Sequence, residues 1–201
     1  IRGFENQKVF GRRPGGIYIP RYANITENDK PYTRGFGYQG SASPVGNAGG
    51  QMAGIGRAFK EAHKTPGPWR ISIGAFGEQL PNPNNRVTLH ANRTDKWNNP
   101  IALFNVNYGE NEHTMLQEAN KDAAAMLEAA GCTDINSNSV SLTVPGNRIH
   151  EMGSARMGND PNDSVLNKWC QSHDVPNLFV TDGSFMTSAA CQNPSISYLA
   201  F

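Results

Sequence analysis

The most regular hydrophobic pattern of the chain predicts one helix from about Glu112 to Ala130. Its apolar residues recur at spacings of three and four and form a single stripe: Met115, Ala119, Ala123, Met126, Leu127 and Ala130. Asn111 is a suitable N-cap residue, and Gly131 stands where many helices end in a left-handed residue. We therefore expect an amphipathic helix that packs this stripe onto a core.

Alternating apolar and polar residues predict strands before this helix. Two short candidates are Ile17–Pro20 and Gly35–Gln39, and a glycine-rich loop at Gly46–Gly50 lacks the spacing of a phosphate-binding loop. Three further candidates are separated by turn-forming residues: Arg70–Gly77, Arg86–His90 and Ile101–Tyr108. Their short connections predict an antiparallel meander with one face in water.

The composition agrees with a loop-rich α+β fold. Of the 201 residues, 37% are apolar and 17% are charged, and there are 21 Gly and 13 Pro. The composition shifts near Pro145, which indicates two units, residues 1–145 and residues 146–201. The chain does not begin with Met and stops inside an apolar, helix-like pattern, so we expect a fragment.

Charge and metal-ligand spacing narrow the range of partners. The formal net charge is +1 and the basic residues are scattered, which argues against nucleic acid. No apolar run reaches the length of a membrane span. The cysteines are odd in number and form no CxxC pair. Four of the five histidines lack the spacing of metal ligands, so we expect no metal site. These are His63, His90, His113 and His173.

The first candidate for chemistry is His150, which opens the stretch HEMGSARMG at residues 150–158. A lone His is more often structural than catalytic. Here Gly153 and Gly158 allow close approach of the backbone, and the small Ser154 and Ala155 leave room for a bulky group.

The second candidate is NLFVTDGS at residues 177–184. Leu178–Val180 is predicted as a short buried strand that leads to Asp182 and Gly183. Ligands gather beyond the carboxyl ends of strands in open α/β sheets, and an acidic residue there can contact a ribose or ribityl hydroxyl. The same two residues also suit a plain turn.

The third candidate is Asn193 followed by Pro194 and Ser195, a strong helix start with Asn as N-cap and Pro in the first position. The N-terminus of a helix has unpaired N–H groups and a partial positive charge, which suits an anion or a polarised carbonyl. The edge of a reduced flavin is such a group. An ordinary capped helix explains the same residues.

Together, the order and spacing of HEMGSARMG, NLFVTDGS and NPS resemble the C-terminal part of the glucose–methanol–choline (GMC) oxidoreductase family. The stretch SVLNKWCQSHDVPNLFVTDGSFMTSAACQNPS looks closest to bacterial gluconate and sugar dehydrogenase flavoprotein subunits. This strong resemblance covers about residues 148–201. A weaker one covers residues 70–131, where GEQLPNPNNRVTL resembles the family's substrate domain.

The resemblance implies a role for each candidate. His150 is the catalytic His beside the flavin N5, and Asn193 takes the second position of the catalytic pair. Asp182 and Gly183 contact the ribityl-pyrophosphate region of FAD, whereas Asn193, Pro194 and Ser195 lie against the isoalloxazine ring. Neutral imidazole can remove the hydroxyl proton of an alcohol, and an amide can hold the substrate oxygen.

The resemblance also implies a fold and partners. Residues 1–145 are part of an antiparallel-sheet substrate domain, and residues 146–201 are the C-terminal portion of an FAD-binding domain. The family's strand-turn-helix that binds the ADP half of FAD is not found here, so we expect this piece alone to hold FAD poorly. By this resemblance, the substrate is a sugar, a sugar acid or another alcohol. The electron acceptor is a quinone, a cytochrome or a dye, and a small subunit is expected as a further partner. The resemblance favours a periplasmic or membrane-peripheral location, with a cytoplasmic one left open.

Two alternatives come from other classes of protein. A serine hydrolase would use His150, Asp182 and Ser184, although Asp182-Gly183-Ser184 is not a G-x-S-x-G elbow. A non-catalytic carbohydrate-binding β module would account for the meander but not for the C-terminal motifs. A full-length protein with flavin absorption would distinguish the enzyme from the module.

Overall fold

A computed structural model describes residues 16–44, 55–62, 69–137, 144–146 and 150–201. Within these ranges the chain has antiparallel sheets and a few helices, as an α+β fold predicts. The predicted loop at Gly46–Gly50 and His63 lie outside the described residues. The elements are β1 (Gly16–Ile19), β2 (Phe36–Pro44), α1 (Gly56–Ala62), β3 (Trp69–Gly77), β4 (Arg86–Thr94), β5 (Pro100–Asn105), α2 (Glu110–Ala129), a 3₁₀ turn (Gly183–Phe185) and α3 (Ser195–Ala200).

The first sheet has the order β1-β2-β3, and both pairs are antiparallel. Helix α2 packs against this sheet, and the core between them contains Tyr32, Phe36, Tyr38, Met115 and Ala119. The Tyr38 hydroxyl donates to the Ala119 carbonyl at 2.7 Å. Burial raises the pKa of Tyr38 to about 12, which keeps the phenol neutral and able to donate.

The predicted three-stranded meander is wrong in its pairing. Strand β3 pairs along its whole length with β2, from Trp69 opposite Pro44 to Gly77 opposite Phe36. Strands β4 and β5 form a separate two-stranded sheet on which Val87, Leu89 and Phe104 are exposed. Alternation identifies strands but not their partners, so it could not show that β3 pairs with a strand from earlier in the chain.

Helix α2 confirms the predicted helix, but it begins at Glu110 with Gly109 as N-cap. The Glu112 carboxylate accepts from the Gly109 N–H at 2.7 Å. Asn111 is not the cap, because its side-chain oxygen accepts from the Thr33 N–H at 2.7 Å. At the other end Gly131 has φ +77°, as predicted, and its N–H donates to the Glu128 carbonyl at 2.9 Å.

The C-terminal segment, residues 150–201, has little regular structure and its own small core of Leu166, Cys170 and Phe185. The predicted buried strand at Leu178–Val180 is wrong: Phe179 makes one isolated bridge to Gln171. Leu178 and Phe179 are 48% and 57% exposed, so an apolar run here is not a core strand. The predicted boundary at Pro145 stays a prediction.

A match that the sequence analysis missed is the G-x-G-x-x-G pattern of Gly35, Gly37 and Gly40. These glycines precede or lie within β2, the central strand of the first sheet, so they do not form a strand-turn-helix. A Cβ atom at Gly37 would come within 2.8 Å of the Ile19 carbonyl oxygen and 3.2 Å of the Cys191 Cβ. Close packing of the protein on itself therefore accounts for Gly37.

Candidate active site

The segment that follows His150 lies along the 3₁₀ turn. The Gly153 N–H donates to the Gly183 carbonyl at 3.4 Å, and the Ala155 N–H donates to the Ser184 carbonyl at 3.0 Å. The Met157 N–H continues this pattern to the Phe185 carbonyl at 2.9 Å. His150 is half-buried at the start of this segment. The first and second sequence motifs thus form one hydrogen-bonded unit.

Asp182 organises the 3₁₀ turn. Its Oδ1 accepts from the Ser184 N–H at 2.9 Å and from the Ser184 hydroxyl. These bonds, first the hydroxyl and then the amide, hold the pKa of Asp182 below its usual range. Both of these bonds use Oδ1, and the residue is exposed. The Ser184 proton is directed to Asp182, which does not favour Ser184 as a nucleophile activated by a histidine.

Gly183 is buried beneath helix α3. A Cβ atom at this position would lie 2.5 Å from the Tyr198 hydroxyl oxygen and 2.8 Å from the Glu151 carbonyl oxygen. The ring of Tyr198 also meets Phe185 edge-on, with 6.2 Å between centroids. The need for glycine here arises from this packing, which joins the third motif to the other two.

Asn193 and Pro194 differ from the predicted cap. Helix α3 begins at Ser195, with the buried Pro194 in the N-cap position and no side-chain cap bond. Asn193 is exposed, and its Oδ1 accepts from the Gln39 Nε2 at 2.9 Å. Because that oxygen is bonded to strand β2, we conclude that the predicted Asn193 cap is wrong.

The loop before Asn193 is fixed to the first sheet. The Gln39 Nε2 also donates to the Cys191 carbonyl at 3.3 Å, and the Ala189 N–H donates to the Glu78 Oε1 at 3.0 Å. Glu78 is 7% exposed, and its Oε2 pairs with the Arg34 Nε at 3.0 Å. Burial raises the pKa of the Cys191 thiol.

Sequence reasoning missed Gln39 and Glu78, because a polar residue in or just after an alternating strand carries no signal of its distant partner.

The structure therefore places the predicted site residues in two sets of contacts, one around Gly183 and one around Asn193. Asp182 and Gly183 lie against the segment that follows His150, and α3, which begins at Ser195, covers Gly183. Asn193 is connected to this unit through α3 and to β2 through Gln39. The pairing of His150 with Asn193 stays a prediction. In the part of the chain that the structure describes, no group of three or more His, Cys, Asp or Glu could hold a metal ion.

These contacts join the three sequence motifs into one packed unit. Residues 81–201 match the family model described as GMC oxidoreductase, which is more than half of the chain. The chain belongs to the GMC oxidoreductase family, as the sequence motifs predicted, and membership of this family implies a flavin cofactor.

Curated relatives agree with this assignment. The chain is 35% identical over 193 residues to 2-methyl-1,2-propanediol dehydrogenase of Mycolicibacterium austroafricanum, covering 90% of this chain and 34% of that protein. It is 29% identical to the fructose dehydrogenase large subunit of Gluconobacter japonicus, covering 98% of this chain and 36% of that protein. It is 27% identical to the gluconate 2-dehydrogenase flavoprotein of Pantoea cypripedii, covering 62% and 21%. The chain thus spans about a third of the length of the first two relatives.

Proposed function

We propose that the full-length protein is an FAD-dependent dehydrogenase that oxidises the CH–OH group of a sugar, sugar acid or other alcohol. The observation that carries this proposal is the packing of the His150 segment, the Asp182–Phe185 turn and helix α3 into one unit. The relatives named as dehydrogenases of a diol, fructose and gluconate support the reaction class. The parts of the protein outside this chain complete the substrate and cofactor sites.

The hydrogen-bonding groups of this unit fit a flavin nucleotide. Asp182 is exposed and anionic, and the oxygen that Ser184 does not occupy suits a ribityl hydroxyl. Gly183 contributes backbone to the same turn. Near α3, Asn193 and Ser195 are exposed beside the buried Pro194, and the first N–H groups of a helix have no acceptor within it. When bound, FAD accepts the hydride that leaves the substrate carbon.

The chain's own residues handle the proton and the pose of the substrate. His150, in its neutral form, removes the hydroxyl proton at an imidazole nitrogen as the hydride departs. Asn193 cannot act as a base, but its amide hydrogen-bonds the substrate oxygen and so aims the C–H bond. Because relatives are named as a large subunit and a flavoprotein, a small partner subunit fits the same proposal. The electron acceptor is then a quinone, a cytochrome or a dye.

The proposal is tested on the full-length protein. The purified protein should absorb at the flavin bands, and anaerobic addition of a small panel of diols, hexoses and aldonic acids should bleach those bands with at least one member. A quinone or dye that is then supplied should become reduced. Flavin absorption that no alcohol bleaches would contradict the proposed reaction, and absence of flavin would return the carbohydrate-binding module to consideration.

A further inference from the structure

Gln39 connects the first sheet to the proposed active site. It lies on the central strand β2, half-buried, opposite Tyr18 of β1 and Gly74 of β3. Its Nε2 donates to the Asn193 Oδ1 at 2.9 Å and to the Cys191 carbonyl at 3.3 Å. One amide nitrogen on a paired strand thus binds both the backbone and the side chain of the loop before α3.

The Cys191 carbonyl decides how both amides are oriented. A backbone carbonyl can only accept a hydrogen bond, so the Gln39 atom that faces it is the NH₂ group and not the oxygen. The same NH₂ group faces Asn193, so the Asn193 atom that faces Gln39 is its oxygen. This leaves the Asn193 Nδ2, with two N–H donors, on the other side of that carboxamide.

We propose that Gln39 is a positioning residue that holds Asn193 as a hydrogen-bond donor toward the substrate oxygen. This inference rests on the proposed function, and it specifies that the Asn193 Nδ2 is the atom that donates to the substrate oxygen. A substrate oxygen becomes more negative as its proton and the hydride leave, so a donor stabilises it and an acceptor repels it. A freely rotating carboxamide would offer its oxygen part of the time.

Three further contacts keep the loop close enough for Gln39 to act. The Glu78 carboxylate holds the Ala189 N–H at 3.0 Å, and Gly37 allows the Cys191 side chain to lie against β2. The thiol of Cys191 also points to the Gly35 carbonyl oxygen at 3.9 Å. The backbone of the loop is therefore fixed by several contacts, whereas the turn of the Asn193 amide depends on Gln39.

The first test is Gln39→Glu in the full-length flavoprotein. The carboxylate keeps the shape of the side chain but removes the donor, and it accepts from the Asn193 Nδ2 instead, which turns the Asn193 oxygen outward. We expect the limiting rate constant for flavin reduction by substrate to fall at least about tenfold, with a smaller change in apparent substrate Kd. Gln39→Leu, which leaves the amide free, should fall less. Gln79→Glu is the matched control, since the Gln79 Nε2 donates to the Asn107 carbonyl at 2.8 Å.

The second test is a double-mutant cycle with Asn193→Ala. If Gln39 acts through Asn193, Gln39→Leu should lower the reduction rate in the wild type but change it less than twofold in the Asn193→Ala background. The unfolding midpoint of the holoprotein, measured for the same four proteins, should also shift non-additively. A rate for Gln39→Glu within twofold of wild type, or full additivity of both rate and midpoint, would overturn the inference. A wild type that no alcohol reduces would instead contradict the proposed function, and the midpoint cycle would still test the contact.

Discussion

The Tyr198 hydroxyl lies over the backbone of Gly183, at a distance that leaves no room for a side chain at position 183. A Cβ atom there would stand 2.5 Å from the Tyr198 oxygen and 2.8 Å from the Glu151 carbonyl oxygen. This contact joins helix α3 to the 3₁₀ turn that Asp182 caps. The carbonyl groups of the same 3₁₀ turn accept hydrogen bonds from the segment after His150. One glycine therefore lies between three motifs that are separate in the sequence.

Gly183→Ala should loosen this junction. The added methyl group forces Tyr198 or the Glu151 backbone to move, which should lower the free energy of unfolding by about 1–3 kcal/mol. It should also weaken flavin retention of the full-length protein, measured by absorbance after gel filtration. Gly74→Ala is the matched control, because a Cβ atom there would meet only the Gln39 carbonyl oxygen, at 3.9 Å. Equal stability of both variants would contradict the junction.

Glu78→Leu should release the loop before Asn193 from the first sheet. The substitution leaves the Ala189 N–H and the Arg34 guanidinium without this acceptor, and an unpaired buried group costs about 1–3 kcal/mol in unfolding free energy. Glu78→Gln keeps an oxygen that can accept from the Ala189 N–H and removes only the charge that pairs with the half-exposed Arg34, so it should cost less than Glu78→Leu. Denaturant unfolding of the two variants measures both values. A loss for Glu78→Gln as large as that for Glu78→Leu would show that the ion pair with Arg34, not the Ala189 bond, holds this loop.

Two contacts of the candidate site could not be predicted from the sequence: Gln39 with Asn193, and Glu78 with Ala189. The chemistry-bearing motifs were readable because each is local: HEMGSARMG, NLFVTDGS and NPS carry their spacing within a few residues. The α2 stripe was readable for the same reason. Gln39 and Asn193 are 154 positions apart, and Glu78 and Ala189 are 111 apart, so the pairing depends on how the sheet and the C-terminal loop come together. The same limit explains the error over the partner of β3, since alternation fixes a strand's faces but not its neighbours.

Acid should weaken the turn through Asp182. The pKa of Asp182 is lowered in the folded protein by the Ser184 bonds, so its contribution to stability is present above the unfolded pKa of about 3.9 and is lost as the pH falls through the lower folded value. Ser184→Ala removes the hydroxyl donor and should bring the pKa of Asp182 closer to its ordinary value. A carboxyl-detected NMR titration of both proteins measures this shift. Unchanged titration of Asp182 in Ser184→Ala would show that the hydroxyl contact does not set its pKa.

His150→Ala in the full-length enzyme should slow flavin reduction by alcohol at least about a hundredfold, since no other group then removes the hydroxyl proton. Rapid mixing under anaerobic conditions measures the reduction directly. Flavin absorbance should remain, because the proposed cofactor contacts of Asp182 and Gly183 are unchanged. His113→Ala is the matched control, as His113 is exposed on α2.

Added imidazole separates a chemical role of His150 from a structural one. A base that acts on the substrate proton can be replaced in part by a small imidazole that enters the space left by the side chain, so the reduction rate of His150→Ala should rise with imidazole concentration. Gly183→Ala, which disturbs the same unit by packing, should not respond. Reduction by His150→Ala at the wild-type rate would remove His150 from the proton transfer and leave Asn193 and the flavin-facing turn as the chain's contribution to the reaction.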